Sequence, residues 1–374
     1  MYATIPDPEL IDTNEKLKKL ATVLETQPRL AVDTEANSLH AYQERVCLIQ
    51  FSSASDDYLV DPLSIDDMTW LGPIFADPKI EKVFHAVEYD LIGLQRDFAY
   101  TFSNIFDTMV AARTLGYKQV GLASLLNLKL EIEVDKRHQK ADWGQRPLLP
   151  SMVSYAGIDT HYLLELRDVL AAELQEKGLY DLAQEDFARS CFVAAANNGP
   201  QRAAWERVDG RKDLDQRQQT ILHELCQCRD SIAKKMDRPV FKVLDDKVLL
   251  ALAQSEAAGL DELLENGLMS ERQFQRFGRT LWDALQRGRR AHLVTPTVLD
   301  RVPDSQMKRL QKLKQWRKDK AKELEVESDV VLPKVHMHSI SEVRAINPEK
   351  LASLMHDSPY RLARWGDEIL AALK

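Results

Sequence analysis

The stretch Leu30-Ala31-Val32-Asp33-Thr34-Glu35 constrains this chain more than any other. It opens as an apolar run of strand type and ends on two acids spaced two residues apart. A strand alternates faces with a period of two, so Asp33 and Glu35 point the same way. A second acidic station lies in Val83-Phe84-His85-Ala86-Val87-Glu88-Tyr89-Asp90-Leu91. That segment predicts a strand running into a helix, with Asp90 in the first helical turn. A third lies in Ser154-Tyr155-Ala156-Gly157-Ile158-Asp159-Thr160. A helix there puts Tyr155 and Asp159 on one face, one turn apart.

Three acidic stations on three elements predict one pocket holding four carboxylates. Like charges about 4 Å apart cost roughly 4 kcal/mol per pair at an intermediate dielectric. Hard divalent cations bound through oxygen remove that cost, and Mg²⁺ or Mn²⁺ suit such a donor set. Two ions roughly 4 Å apart form the clamp used for in-line attack on phosphate esters. Tyr155 is placed to hold the attacking water. Taken singly, each residue has a plainer reading: a turn acid at Asp33 or Glu35, a dipole-favoured first-turn acid at Asp90, a solvated position at Asp159 and a half-buried ring at Tyr155. His85 reads as a hydrogen-bonded residue after a strand rather than a catalytic group. Glu88, two positions from Asp90 on a helix, faces elsewhere and is solvated.

The same residues carry a resemblance. Asp33-x-Glu35, then Asp90, then Tyr155-x-x-x-Asp159 is similar to the three motifs of the DEDDy family of 3′→5′ exonucleases. The local contexts Ala31-Val32-Asp33-Thr34-Glu35, Phe84-His85-Ala86 and Tyr155-Ala156-Gly157-Ile158-Asp159-Thr160 match as well. Within that family the chain resembles the bacterial ribonuclease D type, whose C-terminal parts are HRDC modules. The resemblance implies a ribonuclease H-like α/β fold. It implies two divalent metal ions on Asp33, Glu35, Asp90 and Asp159, with Tyr155 orienting the water and helping to deprotonate it. It also implies RNA as the partner: trimming of 3′ ends of tRNA precursors and other small structured RNAs, with nucleoside 5′-monophosphates released. No organic cofactor is expected. DNA exonucleases share the five residues. The absence of a Walker A sequence favours a free-standing RNA enzyme, and the filled motifs speak against a non-catalytic binding scaffold.

The 374 residues allow two or three domains. A net charge of −8 argues by itself against a nucleic-acid binder, but its distribution does not. Residues 1–200 carry 18 basic and 31 acidic side chains, for −13, and residues 201–374 carry +5. The acidic half holds the predicted metal site, and the basic half can supply phosphate contacts. Four cysteines, Cys47, Cys191, Cys226 and Cys228, lack zinc-site spacing and read as reduced thiols. No signal peptide and no apolar run of about 20 residues is present, which predicts a cytoplasmic protein.

In chain order, short strands are predicted at 2–5, through 30–35, at 45–53, at 57–61, up to His85 and at 104–106, with helices at 14–24, 67–75, 87–98, 107–115, 121–130 and, as one long helix, 152–176. This order fits a mixed sheet with helices on both faces. Residues 135–150 are polar and Pro-ended and read as a loop near the site mouth. Asn197-Asn198-Gly199-Pro200 is a breaker, and the linker is placed there. Beyond it the chain is helical and repeats. Residues 222–285 and 310–373 align without a gap at an offset of 88, pairing Leu222 with Leu310, Arg229 with Arg317 and Leu263 with Leu351. The predicted domains are therefore an exonuclease domain at 1–200, an HRDC domain at 206–290 and a second HRDC-like helical domain at 295–374. The run from Lys308 to Lys322 has eight basic residues and one acid, with Leu310, Leu313 and Trp316 as its core stripe. It reads either as a solvated helix face or as a phosphate-contacting one.

Overall fold

A computed structural model describes residues 5–192, 202–297 and 302–374. They fall into two compact units. One takes residues 5–36, 46–192 and 302–374; the other takes 37–45 and 202–297.

The first unit is built on a six-stranded sheet: β1 (Glu9–Ile11), β2 (Arg29–Ala36), β3 (Val46–Ser52), β4 (Asp57–Val60), β5 (Glu81–Phe84) and β6 (Ile105–Asp107). The strand order is β1-β4-β3-β2-β5-β6. β3 runs antiparallel to its neighbours β2 and β4, and the other pairs are parallel. The expected mixed sheet is thus present. The strand expected at 2–5 falls mostly outside the described residues. Ile5 is not in a strand, and the edge position belongs to Glu9–Ile11.

Period-two alternation sorts the core. Leu30 and Val32 of β2 pack with Leu17, Leu20 and Leu24 of α1 (Asn14–Leu24) and Leu91 and Leu94 of α3 (Glu88–Phe98). Ala31, between them, packs on the opposite face with α4 (Thr108–Thr114), α5 (Leu122–Leu130), α7 (Leu163–Glu176) and α8 (Tyr180–Ser190). The segment 67–75 is a short 3₁₀ turn followed by α2 (Gly72–Ala76). Thr13 caps α1 by accepting from the Lys16 amide. Asp107 caps α4 by accepting from the amides of Met109 and Val110.

The single helix expected over 152–176 is two. α6 (Pro150–His161) ends at Tyr162, whose φ of −96° and ψ of 0° leave helical geometry, and α7 begins at Leu163. No glycine or proline marks the break. Instead His161 Nδ1 is held 2.7 Å from Asp57 Oδ2 on β4, which ties the end of α6 to the sheet.

The helices at 304–323, 328–331, 334–342, 348–354 and 359–373 complete this unit. Their core includes Leu182 of α8, so the second helical module packs directly on the exonuclease part. Arg361 is fully buried there. It donates to Glu185 Oε2 (2.7 Å), to Asp186 Oδ2 (2.7 Å) and to the carbonyl of Val330 (2.8 Å). The second unit holds the first module, with long helices at Gln216–Met236 and Glu271–Arg290 around a core of Leu222, Leu225, Leu281 and Leu285. The segment 37–45 belongs to it through Tyr42, whose hydroxyl donates to Asp230 (2.9 Å) and whose amide donates to Asp237 (3.1 Å). All four cysteines are free thiols. Among the described residues no helix is long and apolar enough to cross a membrane.

Candidate active site

The acids of β2 lie on the face that carries Ala31, under α6. Asp33 and Glu35 both line a pocket of 340 Å³, together with Tyr155 and Asp159 of α6. Asp90 does not line it. It sits behind the pocket, buried in the first turn of α3, and accepts from Thr34 Oγ1 at 2.5 Å. Thr34 points to the opposite face of β2 from its acidic neighbours, and so joins the third carboxylate to their strand. All five residues expected at the site therefore meet there, four around the opening and one beneath it. Glu88 is exposed, as expected.

Local sequence explains how each residue is placed. The turn between β5 and α3 requires Ala86 at φ +63°, a left-handed conformation that costs an L-residue about 1–2 kcal/mol. Asp107 holds that turn by accepting from the amides of Ala86 and Val87, both at 3.0 Å, while it also caps α4. One carboxylate thus fixes the helix that presents Asp90. Gly157 lies between Tyr155 and Asp159. A Cβ there would meet Ile5 Cδ1 at 2.7 Å and Pro8 Cγ at 3.1 Å, so glycine lets the N-terminal segment lie against α6.

The electrostatics are those of acids without partners. None of the four carboxylates makes an ion pair among the described residues, and Lys136, although it lines the pocket, pairs with none of them. Burial, with Asp90, Asp159 and Glu35 nearby, pushes the Asp33 carboxyl well above the usual range. Burial and the charges of Asp159 and Asp90 push Glu35 up to about 9. Asp90 and Asp159 are each raised to about 7, in both cases chiefly by burial. Burial, with the charges of Asp159, Glu35 and Asp33 around it, pushes the Tyr155 hydroxyl well above its ordinary pKa, so it is a phenol at neutral pH.

Several lining and supporting residues were not identifiable from sequence. His85 lines the pocket; its Nδ1 lies 2.9 Å from Thr108 Oγ1. Because that hydroxyl donates to the Phe84 carbonyl (3.1 Å), the shared proton is on Nδ1 and Nε2 remains an acceptor. The loop after α5 closes the pocket wall. His138 and the buried Trp143 contact the Tyr155 ring at centroid distances of 5.9 Å and 6.0 Å. Arg146 fastens this loop to the sheet through Asp61 and the carbonyl of Cys47, each at 2.7 Å. Gln50, directly across from Asp33 in the β2–β3 register, is fully buried, and neither of its amide atoms has a hydrogen-bond partner.

This donor set fits divalent cations. Three of these hard oxygen acids line one pocket and the fourth, Asp90, is buried close to them, none paired with a cation, and an unsatisfied buried amide lies across from Asp33. Among the described residues no three acidic, histidine or cysteine side chains are closed around a centre. Asp90, Asp159 and Glu35 are near enough to Asp33 for their charges to raise its pKa.

A mixed α/β sheet whose second strand delivers two acids to a helix bearing Tyr155-x-x-x-Asp159 defines a nuclease-type domain. A family model described as 3′-5′ exonuclease matches residues 8–175, and one described as HRDC domain matches both 218–285 and 306–373. The chain belongs to the 3′-5′ exonuclease family and carries two HRDC domains behind the exonuclease domain. The offset between the two HRDC matches is the 88 residues of the internal repeat.

Among its relatives, an exosome complex component 10 homolog of Caenorhabditis elegans is 35% identical over 250 residues, covering 66% of this chain and 28% of that protein. A ribonuclease D of Gluconacetobacter diazotrophicus is 31% identical over 263 residues, covering 70% of this chain and 66% of that one. The chain spans less than half the length of the eukaryotic relatives it matches. The crystal structure of Escherichia coli RNase D, an exoribonuclease involved in structured RNA processing, shares the fold over 94% of this chain and 100% of that chain, with a TM-score of 0.70 at 23% identity. The likeness of fold to that structure therefore extends across the exonuclease and both helical domains.

Proposed function

We propose that this protein is a metal-dependent 3′→5′ exoribonuclease that trims the 3′ ends of small structured RNAs such as tRNA precursors. The observation that carries the reading is the pocket: three carboxylates without ion pairs and one phenol line it, with the Asp90 carboxylate buried close by, in a domain of the 3′-5′ exonuclease family. Asp33, Glu35, Asp90 and Asp159 hold two divalent ions, Mg²⁺ or Mn²⁺. Bound there, such a pair supplies activation of water and stabilisation of the leaving oxygen. Tyr155, kept as a phenol by its acidic surroundings, orients the water through its hydroxyl. It gains capacity as a base only as those acids are neutralised. Trp143 and His138 fix the ring, and Thr34 and Asp107 fix Asp90. The products are nucleoside 5′-monophosphates, and the reaction takes place in the cytoplasm, where the four free thiols are stable.

The test is incubation of 3′-labelled RNA and DNA of equal length with Mg²⁺, with and without chelator. Release of labelled 5′-mononucleotide from RNA, lost with chelator, is the expected result. Release from DNA alone would make this a DNA exonuclease, and release from neither would leave a binding scaffold.

A further inference from the structure

We infer that the helix Asp304–Glu323 of the second HRDC domain is a track for RNA phosphates, and that the matching helix of the first domain is not. The inference rests on the exoribonuclease reading for its choice of polyanion, and on a residue-by-residue comparison of the two domains for its location.

Lys308, Lys312, Lys314, Lys318 and Lys322 are all exposed, and none makes an ion pair or a hydrogen bond among the described residues. At 100° per residue they lie within about 160° of arc, opposite the buried Leu310, Leu313, Arg317 and Ala321. From first to last they cover about 21 Å of helix at 1.5 Å per residue. A nucleic-acid duplex carries one phosphate charge for roughly every 1.7 Å of its axis, so every lysine along such a length has phosphates within reach. Two acids of the helix share the arc: Asp304, one turn before Lys308 at the helix start, and Asp319, the one acid between the first and last lysine, which is occupied by Gln315 Nε2 at 2.9 Å. Lys320 lies off the arc and is paired with Glu323 and Glu368.

The offset of 88 supplies the comparison. Lys308, Lys312, Lys314 and Lys318 correspond to Thr220, Glu224, Cys226 and Asp230 of the first domain. Each of those four is engaged internally. Thr220 Oγ1 accepts from the Val294 amide (3.1 Å), and Glu224 accepts from Arg287 Nε (3.3 Å). Cys226 is buried in the domain core, and Asp230 accepts from the Tyr42 hydroxyl (2.9 Å). Only the fifth position is lysine in both domains, as Lys234 and Lys322. One scaffold face therefore serves packing in the first domain and carries bare cations in the second. Met307 is the one large apolar side chain exposed on this helix, so the face lacks the apolar centre that a protein partner requires.

The test uses the full-length protein in chelator, where RNA is bound without being cut, with tRNA as the probe across a salt series. The triple variant Lys312→Gln, Lys314→Gln, Lys318→Gln removes three charges that no internal contact uses. It should bind about tenfold more weakly, with a log-log salt slope smaller by about two units at roughly 0.7–0.9 per phosphate contact. A matched variant of the first domain, Lys234→Gln, Lys235→Gln, Lys242→Gln, should change far less. Unchanged affinity and slope in the first variant, or equal losses in both, overturns the assignment and returns the helix to a solvated face or a protein contact. Turnover of a short unstructured RNA with Mg²⁺ separates this from the underlying reading. No turnover by wild type, with tRNA binding still lost in the triple variant, removes the exoribonuclease reading and leaves the track. Normal turnover with unaltered binding does the reverse.

Discussion

Two groups of acids lie in the same compact unit and have opposite characters. Glu185 and Asp186 on α8 face Arg361, whose guanidinium is fully buried and donates to both; Arg189 adds a second cation to Asp186. Asp33, Glu35, Asp90 and Asp159 face one another and no arginine or lysine pairs with them among the described residues. The chain neutralises the first group with its own side chains and leaves the second to be neutralised from outside. Acids with an internal cation are structural and acids without one point to a ligand. This contrast places the site more firmly than either the number of acids or their burial does.

The contrast breaks most readily at the pocket. Asp33→Asn, Glu35→Gln, Asp90→Asn and Asp159→Asn should each abolish turnover of 3′-labelled RNA. Each also removes a self-repelling charge, so melting temperature in chelator should hold steady or rise. Near-normal rates in any two of these variants at saturating Mn²⁺ would falsify the four-carboxylate site. Tyr155→Phe keeps the ring between His138 and Trp143 and loses only the hydroxyl. A rate lower by roughly 10²–10⁴, the range for a positioned proton-transfer group, is expected with RNA affinity little changed. An unaltered rate would make Tyr155 a packing residue.

At the other group the outcome should invert. Arg361→Met leaves the buried Glu185 without its cation and Asp186 with Arg189 alone, and breaking a buried pair in this way costs about 3–5 kcal/mol. Urea denaturation reads that loss. Replacing Glu185 with Leu in the same protein should restore part of it, because the stranded charge is gone. The corresponding position in the first HRDC domain is Gln273, which closes a capping box with Ser270. Gln273→Ala should cost only about 1 kcal/mol. A large loss at Gln273, or a small one at Arg361, would erase the distinction between the two domains.

Much of this was legible in the sequence for identifiable reasons. Asp33 and Glu35 share a face because a strand repeats every two residues, and Tyr155 and Asp159 because a helix nearly repeats every four. The repeat showed two related helical domains because their core positions keep one register. What sequence did not show depends on long-range contact. Asp107 reads as a cap for its own helix, yet it also holds the turn before Asp90, some twenty residues away. Gln50 reads as a strand residue, yet the register puts it across from Asp33. Arg361 lies on an amphipathic helix where nothing in the local sequence singles it out, yet it is the buried anchor of the second domain. For that reason the C-terminal residues do more than supply phosphate contacts. The second domain shares a core with α8, so cutting the chain near Asn198 would expose Leu182 and strand Glu185.

The smallest effect, and the one that most directly separates the two groups of acids, is pH dependence. The pocket carboxyls are raised above their ordinary values: Asp90 and Asp159 to about 7, and Glu35 to about 9. A raised carboxyl contributes stability to the metal-free fold that is fully present below the ordinary carboxylate pKa, near 4. That contribution is lost as pH rises through the folded-state value. In chelator, then, the protein should become less stable between about pH 4 and pH 9, and Glu35→Gln should flatten the upper part of that decline. Cation binding requires the carboxylates to be ionised, so it must release the protons they hold. Metal affinity and turnover should therefore fall as pH drops below about 9, the value of Glu35, and more steeply below about 7, by up to about tenfold per unit for each proton released. Titration calorimetry with Mn²⁺ in two buffers of different ionisation enthalpy counts those protons. More than one released per protein at pH 7 is expected for wild type, and fewer for Glu35→Gln. A wild-type count near zero would mean that the four acids are already ionised without metal, and that the pocket differs little from the group around Arg361.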